Sequence, residues 1–135
     1  MKAYKVKAGL LLGTNYKEVN RKAQEIYYNV RKRTKRKPYI RSIYFEKQKI
    51  FFDYFWIHLS QKIFPERCRR LKYFAAGIEL LKSSRYHPLS MQNPEKASEI
   101  FHRFYGVISG NLYFVVQIKE DKNKYLTDIE NKKQE

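Results

Sequence analysis

Two neighbouring segments in the carboxyl-terminal third place cations, phenol rings and an amide at alternating positions. Because alternate residues of a β-strand share a face, one face of segments 100–108 and 112–119 carries Arg103, Tyr105, Tyr113, Gln117 and Lys119. The opposite positions are mostly apolar, so helices would cover that face and leave the polar one open. Cations that hold a phosphate and rings that stack on unpaired bases suit chemistry on an RNA backbone. A solvated sheet surface with ordinary cross-strand pairs is the alternative interpretation.

Two other polar residues are candidates by their position. Thr127 lies in a third predicted strand, 124–129, and would join the polar face. His102 is of the residue type that titrates near neutral pH, but it alternates with apolar residues. A partly buried, hydrogen-bonded state is therefore expected for His102, with a catalytic or phosphate-binding role as the alternative. His58 is expected as a core histidine. Glu79 is expected as a surface residue in an ion pair, with a role as a general base as the alternative.

A second feature is the basic segment 31–41, in which seven of eleven residues are cations and none is acidic. Its basic residues are Arg31, Lys32, Arg33, Lys35, Arg36, Lys37 and Arg41. Such a segment lies in solvent or against a polyanion. Phosphates that it neutralises would release counterions, which favours sequence-independent nucleic-acid binding. The alternatives are a solvated arm and, near its start, cations that complement the negative end of a helix.

The charge of the whole chain supports a polyanionic partner. The formal net charge is +16 over 135 residues, and residues 1–41 hold 13 Lys and Arg against two acidic residues. We therefore expect nucleic acid, and RNA in particular, as the partner. An acidic inhibitor protein is a further expected partner, because it would neutralise such a surface.

Several protein classes are excluded by what the chain lacks. The single Cys68 excludes an internal disulfide, and with it a disulfide-stapled secreted domain. The three His residues and Cys68 show no spacing typical of metal ligands, so no metal or other cofactor is expected. The apolar runs are too short for a membrane span or a signal peptide. The sequence predicts a soluble, cytoplasmic protein with no membrane partner.

Apolar spacing of three and four residues predicts the helices. One is expected at 15–34, begun by a capping box of Asn15 and Glu18. Another is expected at 65–84. The apolar segment 49–62 is expected as a buried helix, with a strand as the alternative.

Alternation predicts the strands. The clearest is a hairpin over 100–119 that turns at Ser109, Gly110 and Asn111, followed by strand 124–129. Residues 39–45 are expected as a short strand or an extended segment. The predicted core residues are Phe74, Ile78, Leu81, Phe104, Phe114, Val116 and Ile118. The chain is thus divided into a basic helical region, 1–38, an α+β domain, 39–129, and a polar tail, 130–135.

Three short segments carry a resemblance to a known family. They are 76–81 (AGIELL), 100–107 (IFHRFYGV) and 113–120 (YFVVQIKE). Together they resemble the small bacterial and phage proteins grouped as barnase–EndoU–colicin–RelE-like (BECR) nucleases, over roughly residues 40–128. The resemblance implies an α+β fold in which helices pack on one face of a C-terminal antiparallel β-sheet. It also implies a toxin-like, metal-independent endoribonuclease, in which the 2′-hydroxyl attacks the adjacent phosphorus and leaves a cyclic phosphate.

The resemblance also implies roles for individual side chains. Arg103 and Lys119 would bind the phosphate as it gains charge, and His102 would be the candidate for proton transfer. A base would stack on Tyr105 or on Tyr113.

Gln117 or Thr127 would be a further phosphate ligand by the same resemblance. Two other functions remain open. One is a non-catalytic nucleic-acid-binding module that uses segment 31–41, and the other is a phage or mobile-element accessory protein that binds a protein partner.

Overall fold

The computed structural model describes residues 2–122 and 124–130, so the predicted tail lies outside the described residues beyond Glu130. The helices are α1 (Tyr16–Arg31), α2 (Asp53–Ser60), α3 (Phe64–Leu71) and α4 (Phe74–Ser83). The strands are β1 (Tyr4–Val6), β2 (Tyr39–Ser42), β3 (Gln48–Phe51), β4 (Leu89–Gln92), β5 (Glu99–Ile108), β6 (Leu112–Asp121) and β7 (Lys124–Glu130). Within these ranges, no helix is both long and apolar enough to cross a membrane.

The strands form one mixed sheet in the order β1-β5-β6-β7-β3-β2, and β4 also pairs with β5. Strands β5, β6 and β7 are antiparallel neighbours. Strand β1 runs parallel to β5, and β3 runs parallel to β7. The α+β class is confirmed. The sheet differs from the expected C-terminal antiparallel unit because strands from the amino-terminal half pair with backbone edges of β5 and β7 that would otherwise be open.

Helix α4 covers one face of the sheet, which we call the core face. Its Gly77 lies against Ile129 of β7, and its Leu80 lies against Gly106 of β5. Val19 and Ala23 of α1 belong to the same buried cluster. Helices α1 and α4 therefore both contribute to this cluster.

Helix α1 begins as predicted, since the backbone N–H of Glu18 donates to Oδ1 of Asn15 at 3.0 Å. The single helix expected at 65–84 is instead two helices, α3 and α4. The chain turns between them at Lys72 and Tyr73, where the Tyr73 N–H bonds to the Arg70 carbonyl at 3.1 Å. This turn allows the ring of Tyr73 to pack against Phe114.

The apolar segment 49–62 is divided between a strand and a helix. Ile50 pairs with Ile40 on one side and with Tyr125 on the other, so the first part is β3. Helix α2 then begins at Asp53. A single buried helix was the wrong prediction, because the backbone of β3 fills the gap between β2 and β7.

The predicted hairpin is confirmed. Ile108 pairs with Leu112, and the turn between them has positive φ angles at Ser109 and Gly110. Six predicted core residues are buried: Phe74, Leu81, Phe104, Phe114, Val116 and Ile118. The seventh, Ile78, is partly buried against that core.

Gly106 is the point of closest approach between β5 and the side chains of the core. A Cβ added there would lie 2.8 Å from Leu80 Cδ1 and closer still to the ring of Phe114. We expect Gly106→Ala to lower the free energy of unfolding by about 1–3 kcal/mol through overpacking, measured by urea denaturation. Gly9→Ala is the control, because a Cβ at Gly9 meets nothing within 4 Å. Equal unfolding midpoints for the two variants would contradict this account.

Candidate functional site

The face of the sheet opposite α4, here called the outer face, carries a row of three polar side chains on adjacent strands. Arg103 of β5 pairs with Gln117 of β6, and Gln117 pairs with Asp128 of β7. The guanidinium Nε of Arg103 donates to Oε1 of Gln117 at 3.2 Å. That bond fixes the orientation of Arg103 and leaves its terminal Nη groups for an anion.

Helix α2 brings a histidine to the end of this row. His58 lies on the helix that runs beside β7, and its Nδ1 is 2.7 Å from Oδ2 of Asp128. The Asp128 side chain is 3% exposed, whereas that of His58 is 28% exposed. The ring of Tyr54, one turn earlier in α2, stacks on His58 with centroids 5.6 Å apart. The imidazole is therefore held on one side by a carboxylate and on its face by a phenol.

A buried guanidinium completes the surroundings of Asp128. Arg70 of α3 is 8% exposed, and its Nη1 lies 3.6 Å from Oδ2 of Asp128. Its Nε is 3.1 Å from Oε1 of Glu66 in the preceding turn. Asp128 thus lies between two groups that can carry positive charge, and each can offset the cost of burying the carboxylate.

The outer face also carries three other predicted members of the polar face: Lys119, Tyr105 and Tyr113. Lys119 places its Nζ 4.9 Å from the centre of the Tyr54 ring and 3.7 Å from Oε2 of Glu99. Tyr105 is half-buried, and Tyr113 is 39% exposed near the hairpin turn. The structure therefore brings Arg103, Gln117 and Lys119 together beside α2, with Tyr113 farther along the hairpin.

Thr127 and His102 do not join them. Thr127 is fully buried and pairs with Ile118, so its side chain lies on the core face. His102 lies on that same side, where Nε2 is 2.7 Å from Oε1 of Glu120 and Nδ1 is 2.7 Å from Oγ of Ser90. The buried, hydrogen-bonded state predicted for His102 is confirmed, and both of its ring nitrogens are engaged away from Arg103.

Glu79 also differs from its predicted surface ion pair. Its two carboxylate oxygens accept the backbone N–H groups of Lys7 and Ala8 at 2.8 and 2.9 Å. The carboxylate therefore anchors the chain just after β1 to helix α4. This is a structural use of the residue.

Part of the basic segment lines a groove beside the β2–β3 hairpin. The groove encloses about 650 Å³ and is lined by Arg33, Lys35, Arg36, Lys37, Tyr39, Lys49 and Phe51. The rings of Tyr39 and Phe51 are 6.1 Å apart, and the Nζ of Lys49 lies 4.7 Å from the centre of the Tyr39 ring. We call these seven residues the basic groove.

The remaining cations of the segment are placed differently. Arg31 and Lys32 lie over the rings of Tyr27 and Tyr28 on α1. Arg41 lies over the Tyr39 ring and lines an adjoining groove of about 490 Å³, which shares Arg33 and Tyr39 with the basic groove. The cations at 31–41 therefore split between the end of α1 and the hairpin surface.

The basic groove and the polar row lie on the same face of the sheet. Phe51 pairs with Leu126, and Leu126 pairs with Lys119, so these three side chains form a cross-strand row. Phe51 and Lys119 are two strands apart, which corresponds to about 10 Å. At the start of α2, Asp53 is 3.4 Å from the Nζ of Lys37, and the next residue is Tyr54. The row of Phe51, Leu126 and Lys119 is therefore next to the polar row, two residues away along β6.

His58, Asp128 and Arg70 are the members of this site that the sequence prediction missed. His58 was expected in the core. Asp128 is the neighbour of Thr127 in β7, and assigning Asp128 rather than Thr127 to the polar face of this strand would have identified it. Its ion-pair partners are not signalled by local spacing.

Within 2–122 and 124–130, no group of three or more His, Cys, Asp and Glu is arranged to hold a metal ion. No protein-family model, curated protein or solved structure matches the chain.

Proposed function

We propose that this chain binds RNA through the basic groove and the outer face of the sheet. The observation that carries the proposal is the groove itself, in which five cations surround two aromatic rings. Cations bind the phosphates of a strand, and rings stack on its unpaired bases. One of the five cations, Lys37, forms an ion pair with Asp53 at 3.4 Å, but its side chain is still 72% exposed.

The test is the salt dependence of RNA binding. Replacing Lys35, Arg36 and Lys37 by Gln removes three exposed charges from the groove. The slope of log affinity against log salt should then fall by about 2 for a single strand, since each lost phosphate contact removes about 0.7 from the slope. The slope is measured by fluorescence anisotropy with a short single-stranded RNA, over a range of about 50 to 300 mM salt.

A control variant with the same loss of charge tests whether the salt dependence of RNA binding comes from the groove or from the net charge of the protein. Lys7, Lys17 and Arg85 are also exposed, and none of them lines the groove or belongs to a strand of the sheet. Their replacement by Gln should leave the slope almost unchanged. Equal slopes for the two triple variants would show that RNA binds elsewhere or that binding follows net charge alone.

A second function is supported by the polar row beside the groove. We propose that bound RNA is cleaved at this row without a metal ion, in the manner implied by the resemblance to BECR nucleases. Arg103, fixed by Gln117, and Lys119 supply positive charge for the phosphate. The 2′-hydroxyl would attack the adjacent phosphorus and leave a 2′,3′-cyclic phosphate. Incubation of total RNA in EDTA with analysis of fragment ends tests this step, and intact RNA with tight binding would limit the function to binding.

The proposed activity also suggests the setting in which the protein works. A metal-independent RNA cleaver is toxic to its own cell, so an acidic inhibitor that covers the basic groove fits as a partner. The proposed compartment is the cytoplasm, where RNA is abundant. Phage or mobile-element proteins that bind a protein partner remain the alternative class. Co-purification of an acidic protein that blocks RNA binding would support the inhibitor.

A further inference from the structure

We infer that His58 is the proton-transfer residue of the cleavage site, that Asp128 is its positioning residue, and that the substrate is an RNA phosphodiester with a free 2′-hydroxyl. This inference rests on the proposed cleavage function. It adds a residue that the sequence pattern placed in the core. It also replaces His102 in the role of the proton-transfer residue.

The contact with Asp128 determines which ring nitrogen of His58 carries the proton. A carboxylate 2.7 Å from Nδ1 accepts the proton on that nitrogen, which selects the tautomer with the lone pair on Nε2. Nε2 lies on the far side of the ring from the carboxylate. It can therefore accept a proton from a substrate hydroxyl, and the buried carboxylate stabilises the imidazolium that forms.

A comparison with His102 distinguishes this arrangement from ordinary structural use of a histidine. The His102 side chain is 11% exposed, and its two nitrogens are bonded to Glu120 and Ser90. The His58 side chain is 28% exposed. Only its Nδ1 is held by an acidic side chain within the described residues. Of these two histidines, His58 is the one placed to exchange a proton with a ligand on the outer face.

The surroundings of His58 supply the other groups that the reaction needs. Asp128 is in the same cross-strand row as Arg103, with Gln117 between them. Two strand spacings place Arg103 about 10 Å from Asp128 along the sheet, which leaves room for a phosphate between His58 and the guanidinium. Lys119 and the ring of Tyr54 bound this space on the side of the basic groove.

The reaction can be written without another reactant. His58 Nε2 takes the proton of the 2′-hydroxyl while O2′ forms a bond to phosphorus. The P–O5′ bond breaks, and its electron pair leaves with the 5′ oxygen, which takes a proton from water. The resulting hydroxide is neutralised by the proton that the imidazolium releases. The products are a 2′,3′-cyclic phosphate and a 5′-hydroxyl, and no atom is gained or lost overall.

The experiment is single-turnover cleavage of a short RNA in EDTA, with the dissociation constant measured in parallel. His58→Ala should lower the rate by about 10²–10⁴-fold, the usual contribution of a positioned acid or base, with affinity changed little. Added imidazole should restore part of the rate, which it would not do for a purely structural residue. Asp128→Asn should lower the rate and alter the pH profile at its lower limb. An RNA with 2′-deoxyribose at the cleaved linkage should remain intact.

His87→Ala is the control variant, because His87 is an exposed loop residue bonded to the Tyr44 hydroxyl. Its cleavage rate should equal that of the native protein. His58→Gln provides a second variant if His58→Ala unfolds, and thermal melting identifies that case. A native rate for a folded His58 variant, or the absence of imidazole rescue, would overturn the assignment. If the native protein binds RNA but never cleaves it, both the assignment and the cleavage proposal fail while the binding proposal stands.

Discussion

Replacing Arg103 by Ala is expected to lower the rate of RNA cleavage by about 10²–10³-fold, the usual effect of removing one donor that stabilises developing charge. The Nε of Arg103 is fixed by Gln117 at 3.2 Å, so its terminal nitrogens are oriented before substrate arrives. A preorganised cation acts mainly on the transition state, and the affinity for RNA should therefore change little. Single-turnover rates at saturating protein and anisotropy binding curves measure the two effects separately.

Lys35→Ala is the matched comparison, because Lys35 is a cation of the basic groove and not of the polar row. It should weaken binding at moderate salt and leave the rate at saturation unchanged. Arg103→Lys keeps the charge but lacks the planar fork that bonds Gln117, so an intermediate rate is expected. If Lys35→Ala lowers the saturating rate more than Arg103→Ala does, the polar row is not the site of cleavage.

The hairpin that carries Arg103 could be predicted from the sequence because its signals are local. Strict alternation over 100–108 and 112–118 fixes which side chains face the helices, and Ser109 and Gly110 supply the left-handed turn. A strand slipped by one residue would expose Phe114 and Val116, and both are buried. The outer-face positions of Arg103 and Gln117 follow directly from that register.

The contact between His58 and Asp128 could not be predicted in the same way. His58 and Asp128 are 70 residues apart in the chain, and their contact depends on β3 pairing with β7 so that α2 runs beside β7. The helix expected over 49–62 leaves out β3, and with it the reason for that placement. His58 is also flanked by apolar residues on both sides, so its sequence context resembles that of a core residue.

The basic groove was predicted only in part. The cations at 31–37 are evident in the sequence, since no core can absorb them. The aromatic wall formed by Tyr39 and Phe51 is not evident in the sequence. Phe51 belongs to segment 49–62, which is expected as a helix, and it contacts Tyr39 only because β2 pairs with β3. Charge patterns thus identified one side of the groove, and long-range strand pairing supplied the other.

Arg70→Met is expected to lower the free energy of unfolding by about 3–5 kcal/mol, the usual effect of breaking a buried ion pair. The 8% exposed guanidinium lies 3.6 Å from the buried Asp128 carboxylate. Without it, that carboxylate still contacts Nδ1 of His58 at 2.7 Å but loses the permanent positive charge beside it. Urea denaturation at neutral pH measures the change.

Arg69→Met is the control within the same helix, because Arg69 also contacts Glu66, at 2.7 Å, but its side chain is 56% exposed. An exposed pair contributes about 0–1 kcal/mol, so this variant should unfold at nearly the native midpoint. Combining Arg70→Met with Asp128→Asn should recover part of the lost stability, since no uncompensated charge then remains buried. Equal losses for the Arg69 and Arg70 variants, or no recovery in the double variant, would show that Arg70 does not compensate Asp128.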